Sequence, residues 1–265
     1  MLGWVATVWL ASTAVTGAAA PATSPAAATA ATLLNYASIF VDDTWHVFSA
    51  PARFSARDWR LAAAALGGLV VIGAYDRPLL DAVQRKPLEP VAKAARFVEP
   101  VGRRVPTWCI VGFYTYGAVA RSEKAAKVAV DLAATSLIAS NMITPALKAS
   151  LGRSRPRDGD GTYRFRPFSG HESLPSADVT AAFGLVSVLT AHYPAWWVQL
   201  PAYSTAALVA FGRVRKNAHF PSDTALGALV GASVGKSVVR FNEDRRVRFI
   251  VRGGATPSVL VAWIP

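Results

Sequence analysis

The sequence has only one cysteine, Cys109. A lone thiol closes no internal disulfide and builds no Cys-based zinc site, and this one lies in an apolar run where it reads as inert core. Charge is also scarce. Charged residues make up 17% of the chain against 52% hydrophobic ones, and the mean hydropathy is positive. That is apolar for a soluble protein of 265 residues and favours a membrane protein. Acidic residues are the scarcer sign, 16 against 28 basic, for a net charge of +12. Such an excess suits nucleic acid, anionic lipid or a phosphorylated substrate. The apolar segments favour the last two, so no nucleic-acid partner is expected. No internal repeat and no clear compositional break divides the chain.

Residues 1–20 are apolar and small, ending in Ala18-Ala19-Ala20 before Pro21, much like a secretory leader with its cleavage site, but they lack a basic n-region. They read as an export signal or leader, the alternative being a first membrane helix. Residues 21–60 read as a low-complexity linker followed by an amphipathic segment, with Trp45 and Trp59 at a membrane interface and His46 on the surface. Six apolar runs follow, near residues 61–75, 105–120, 128–147, 176–193, 195–211 and 224–239. The first is short for a bilayer span of about 20 residues. A connector over 76–104 is broken by Pro78, Pro87, Pro90 and Pro100. Asp131 and Asn141 are expected to face the bundle interior, and His192 to be interfacial. The tail, 241–265, alternates in hydropathy around Gly253-Gly254, as a hairpin would. The expected architecture is an all-α, six-helix membrane bundle over 61–240 with a short C-terminal β-hairpin.

Little polar sequence interrupts the apolar runs, and what does falls at their ends. Lys148 and Arg155 follow the third run, Pro175-Ser176-Ala177-Asp178 opens the fourth, Arg213 closes the fifth, and His219 and Asp223 precede the sixth. With these runs as crossings, all of these groups meet at one face. Arg155 and Arg213 can grip phosphate oxygens with two N–H groups each, and Lys148 adds a point charge. Amides at the helix start around Ser176 and Ala177 form a further anion site. A neutral imidazole attacks phosphorus only when its other ring nitrogen is held, and a carboxylate four residues on can hold it. Pro221 suits the first turn of a helix, which leaves His219 just outside it and Asp223 within that turn. The other reading of this stretch is a loop histidine beside a capping aspartate. Arg153, Arg157, Arg164, Arg166, Arg215 and Lys216 read as solvated or headgroup contacts.

Lys148-x6-Arg155-Pro156, then Pro175-Ser176, then Arg213-x5-His219-x3-Asp223 resembles the three-part signature of the type 2 phosphatidic acid phosphatase (PAP2) superfamily, which includes the vanadium haloperoxidases. The signature runs from Lys148 to Asp223, and the six-run pattern extends the likeness over most of the chain. The resemblance implies that His219 forms a phosphohistidine that water then cleaves, with Asp223 orienting it and no metal or other cofactor required. It also implies a lipid phosphate substrate and a site on the outer face of a bacterial-type inner membrane.

One family residue is missing. Where the family reads Pro-Ser-Gly-His, with the histidine protonating the leaving oxygen, this chain has Pro175-Ser176-Ala177-Asp178. Aspartate is normally charged at neutral pH and then has no proton to give. Asp178 is therefore either a first-turn carboxylate favourable at a helix N-terminus, or a proton donor once lipid desolvates it, or it is relieved by His171 upstream. Gly212 stands where the family usually has Ser, a milder change. General-acid help is typically worth about 10²- to 10⁴-fold, and a lipid diphosphate, whose leaving group needs it less, tolerates its loss better than a monoester. The rivals are a non-catalytic phosphate-lipid-binding protein, a soluble exported acid phosphatase and a vanadate-dependent peroxidase.

Overall fold

A computed structural model describes residues 25–85, 88–244, 247–252 and 258–263; the leader-like stretch and the Gly253-Gly254 turn lie outside them. Among the described residues ten α-helices run in order: α1 Pro25–Phe48, α2 Ala56–Ala74, α3 Asp76–Arg85, α4 Glu89–Val98, α5 Val105–Ala120, α6 Glu123–Thr135, α7 Thr144–Leu151, α8 Ala177–His192, α9 Trp196–Arg215 and α10 Pro221–Asp244. Strands β1 Val247–Arg252 and β2 Ser258–Trp263 pair antiparallel, Val247 opposite Trp263 and Arg252 opposite Ser258. Each of the six apolar runs lies on a helix. The stretch read as a linker differs, because α1 starts at Pro25 inside it. An alanine-rich run with proline at its first turn favours a helix.

Among the described residues, one helix, 123–151, is long and apolar enough by itself to cross a membrane, and α2 with α3 passes as a pair bent by 59°. The long helix joins α6 and α7 through a π-helical segment, Ser136–Ile143. Pro145 follows it and offers no N–H to the helical ladder, a natural place for the register to slip. Asn141 turns outward there and donates to the Ser136 carbonyl at 2.9 Å, so it does not face the interior. Asp131 does, and with it His192, whose Nε2 lies 2.7 Å from Asp131 Oδ2. His192 is thus a buried tie and not an interfacial residue. Asn242 donates to Asp131 at 2.7 Å and to Asp43 at 3.2 Å, which joins α1, α6 and α10 at the end of α8 away from its N-terminus.

The axis of the bundle is the pair α8 and α10. A Cβ added at Gly231 would meet the Thr180 carbonyl oxygen at 2.2 Å, and one at Gly227 would meet the Ser176 oxygen at 2.7 Å. Spaced four apart, these glycines form a stripe along which the two backbones touch. The stripe sets the distance between the starts of the two helices, where the polar residues gather. Gly231→Ala is expected to force the pair apart and cost about 3 kcal/mol or more, read as a fall in thermal midpoint in detergent. An unchanged midpoint would show that the helices slide freely.

Candidate active site

Helix α10 starts at Pro221 as its sequence suggests, and the Asp223 carboxylate accepts the Phe220 N–H at 2.8 Å, closing the first turn. Helix α9 ends at Arg215, and Asn217 turns left-handed, with φ of 53°, a conformation asparagine tolerates. The turn carries Ala218 back so that its N–H donates to the Arg213 carbonyl at 3.1 Å. His219 thereby stands beside Arg213. On the other side, the Ser176 N–H donates to the Asp223 carbonyl at 3.0 Å and fastens the start of α8 to that of α10.

His219 is 3% exposed, and its Nδ1 lies 2.7 Å from the Ser173 carbonyl oxygen. A carbonyl only accepts, so Nδ1 carries the proton and Nε2 keeps its lone pair. The Asp223 carboxylate was expected to hold this nitrogen, but it sits 3.8 Å away, beyond hydrogen-bond length. Its Oδ2 instead accepts the Ser173 hydroxyl at 2.6 Å. Asp223 therefore orients the imidazole through Ser173. Burial, aided by the positive field of Arg213 and Arg155 and opposed by Asp223, pushes the His219 pKa below its ordinary value. The neutral ring is the favoured form.

Asp223 is itself fully buried and takes a 2.7 Å ion pair from Arg153 Nη1. Arg153 corrects the reading of it as a solvated cation, since it is 2% exposed. Its Nη2 pairs with Asp76 at 2.8 Å and bonds the Thr162 carbonyl at 2.7 Å, while its guanidinium lies 4.3 Å from the Phe220 ring centre. Asp76, fully buried at the start of α3, also accepts from the Ser222 N–H at 2.8 Å and from its hydroxyl. Arg215 is corrected too, donating to the Val83 and Gln84 carbonyls near the end of α3. Arg164 and Arg166 remain exposed.

In front of His219 opens a cavity of about 660 Å³. Its walls bring together the expected Lys148, Arg155, Ala177, Asp178, Arg213 and His219, and add Glu99, Arg103, Arg157 and Lys216. The Lys148 ammonium donates to the Glu172 carbonyl. The Arg155 backbone N–H donates to Asp158 at 2.8 Å while its guanidinium has no ion-pair partner among the described residues, and the Arg213 Nε is buried without a hydrogen bond. Asp178 Oδ2 and Glu99 Oε1 lie 3.2 and 3.4 Å from Arg213 Nη1. Glu99 also pairs with Lys216, and that bond chiefly holds its carboxyl below the usual range. Ser176 is fully buried behind the cavity, its Oγ without a hydrogen bond. The structure does not bring His171 to the cavity; the ring sits at 2.9 Å from Ser169 Oγ and 3.6 Å from Asp160. Glu99 escaped sequence reading because it lies in the proline-broken connector, where the only signal was a carboxylate beside Pro100.

A lipid A 1-phosphatase of Rhizobium etli is 32% identical over 102 residues, 37% of this chain and 43% of that protein. One of Porphyromonas gingivalis is 28% identical over 141 residues, 52% of this chain and 29% of that protein. The chain thus matches less than half the length of either. Among solved structures, Aquifex aeolicus LpxE aligns with TM-score 0.44 and 22% identity over 62% of this chain and 94% of that one. The PAP2-type phosphatidylglycerolphosphate phosphatase of Bacillus subtilis aligns with TM-score 0.49 and 19% identity, over 69% and 96%. The family model described as PAP2 superfamily matches residues 130–246, a span that holds Lys148, Arg155, Asp178, Arg213, His219 and Asp223, and over that span the chain is similar to the PAP2 superfamily.

Proposed function

We propose that this protein is a membrane enzyme that hydrolyses a lipid-borne phosphate or diphosphate through a phosphohistidine on His219 Nε2. The observation that carries the reading is a buried, neutral His219, its Nδ1 proton committed to Ser173, facing a cavity lined by Lys148, Arg155 and Arg213. A neutral imidazole attacks phosphorus as the N–P bond forms, and the three cations stabilise the charge gathering on the equatorial oxygens. Asp223 sits close enough to favour the imidazolium that results. Water then displaces the histidine. Asp178 lines the same cavity, at the position of the acid histidine in the resembled signature. A diphosphate ranks above a simple monoester because its leaving group is the better one.

The lipid surface is supported by the outside of the bundle. Trp45, Trp59, Trp108, Trp196 and Trp197 are all more than half exposed, and α2 has no buried residue despite Leu61, Leu66, Val70 and Val71. Apolar area exposed on this scale fits lipid better than water. The reading sets the cavity at the outer face of a bacterial-type inner membrane, as the resemblance implies.

The test is phosphate release by the full chain in detergent, from a polyprenyl diphosphate and from phosphatidic acid, with an alkaline denaturing quench to trap phosphoenzyme. The expected result is faster release from the diphosphate and a phosphoenzyme labile to acid and stable to alkali, the behaviour of a phosphoramidate. The acid limb of kcat/KM is expected below pH ~6.5, the ordinary imidazole value, because burial and neighbouring cations disfavour the protonated ring. The second reading, a phosphate-lipid-binding protein without turnover, is favoured by Asp178 in place of the acid histidine. Tight lipid binding with no release at any pH would establish it.

A further inference from the structure

The cavity carries its acids in an unusual place. One nitrogen of Arg213, Nη1, is approached by two carboxylates from different elements, Asp178 in the first turn of α8 and Glu99 in the turn after α4. A phosphoryl group bound by Arg213 draws on the same guanidinium charge that these two carboxylates share. The two carboxylates thus already compensate Arg213, and with an anion present both would lie against its negative charge. Like charges at such range must separate or one must be neutralised.

Separation is restricted by the backbone. A Cβ at Gly102 would fall 2.5 Å from the Asp178 carbonyl oxygen and 2.9 Å from its Cβ. The turn that carries Glu99 is therefore packed directly on the residue it would have to leave. Neutralisation falls unequally on the two acids. Glu99 is bonded to Lys216 and lies 3.9 Å from Arg103, so its charge stays compensated when Arg213 turns to a ligand. Asp178 has Arg213 as its one ion-pair partner among the described residues, and loses it.

We propose that a dianion entering the cavity drives one proton from solvent onto Asp178, with Glu99 held ionised, so that phosphate capture is proton-linked and the filled site makes its own acid. The proposal rests on reading the cavity as a phosphate site. The charged and titratable groups that line the cavity with Asp178 are Glu99 and Arg103 from the connector, Lys148 from α7, Arg155 and Arg157 from the following loop, Arg213 from α9, Lys216 just after it, and His219. In the first step the Nε2 lone pair of His219 forms the N–P bond, the P–O bond breaks, and the leaving oxygen takes the Asp178 proton. In the second, the Asp178 carboxylate accepts a proton from water as its oxygen bonds phosphorus and the N–P electron pair returns to Nε2. Glu99 is a positioning residue. It keeps its own charge and so assigns the proton to Asp178.

The test is calorimetric titration of the full chain in detergent with tungstate, a tetrahedral dianion that needs no proton itself near neutral pH. Repeating it in buffers of different ionisation enthalpy counts protons. Wild type is expected to take up close to one proton per tungstate and to lose affinity about tenfold per pH unit above neutrality. Asp178→Asn is expected to bind with no uptake and no such slope, and His219→Asn to keep the uptake. Binding to wild type without proton uptake overturns the proposal, as does uptake that persists in Asp178→Asn or vanishes in His219→Asn. Failure of wild type to bind tungstate, or binding that Arg155→Ala and Arg213→Ala leave unchanged, would instead overturn the phosphate-site reading.

Discussion

Arg153→Lys is expected to abolish phosphate release and to destabilise the folded protein by about 3–5 kcal/mol, the range for removing one partner of a buried ion pair. The substitution keeps the charge, yet it loses the geometry. The guanidinium reaches Asp223 with Nη1 and Asp76 with Nη2, and uses the same two nitrogens for Ser222 and the Thr162 carbonyl. An ammonium is a single point with three donors and cannot bridge two carboxylates held on opposite sides of a planar fork. Either Asp76 or Asp223 is then left buried with an uncompensated charge. Losing the Asp223 pair frees Ser173, and freeing Ser173 unseats the carbonyl that holds His219. Thermal unfolding in detergent and an activity assay check this together. A variant with wild-type midpoint and wild-type turnover would show that Arg153 is only a neutralising charge.

That residue also marks the limit of what the sequence shows. Its neighbours Arg155 and Arg157 lie in the same loop and line the cavity; the motif singles out Arg155, but nothing local marks Arg153 as the structural cation. The difference lies in Asp76 and Asp223, 77 and 70 residues away, which no spacing rule connects. What was legible was periodic or local. The apolar runs gave the helices, because a buried or lipid-facing helix must be apolar along its length. Pro221 and Asp223 gave the start of α10, because capping is a matter of four consecutive residues. The Gly227 and Gly231 stripe was equally local but shows nothing until the facing carbonyls of Ser176 and Thr180 are in place. Glu99 needed the connector to fold back over α8, a tertiary event that the prolines made hard to trace.

His219→Asn is expected to lower kcat/KM by about 10⁴-fold or more, the scale on which enzymes lose activity with their nucleophile, while leaving the folding stability within about 1 kcal/mol of wild type. The asparagine amide can sit where Nδ1 sits and donate to the Ser173 carbonyl, so the loop keeps the hydrogen bond seen at 2.7 Å. It also spares Asp223, whose partners are Arg153, Ser173 and Phe220. What it removes is Nε2, the lone pair that no other group in the cavity supplies in its place. Lys148 is engaged with the Glu172 carbonyl, and the arginines are not nucleophiles. Separating the two readouts is what gives the substitution its force. A variant that is stable, still binds tungstate and releases no phosphate assigns the chemistry to Nε2. A variant that retains even a tenth of wild-type turnover would mean that water attacks phosphorus directly and that His219 only shapes the pocket.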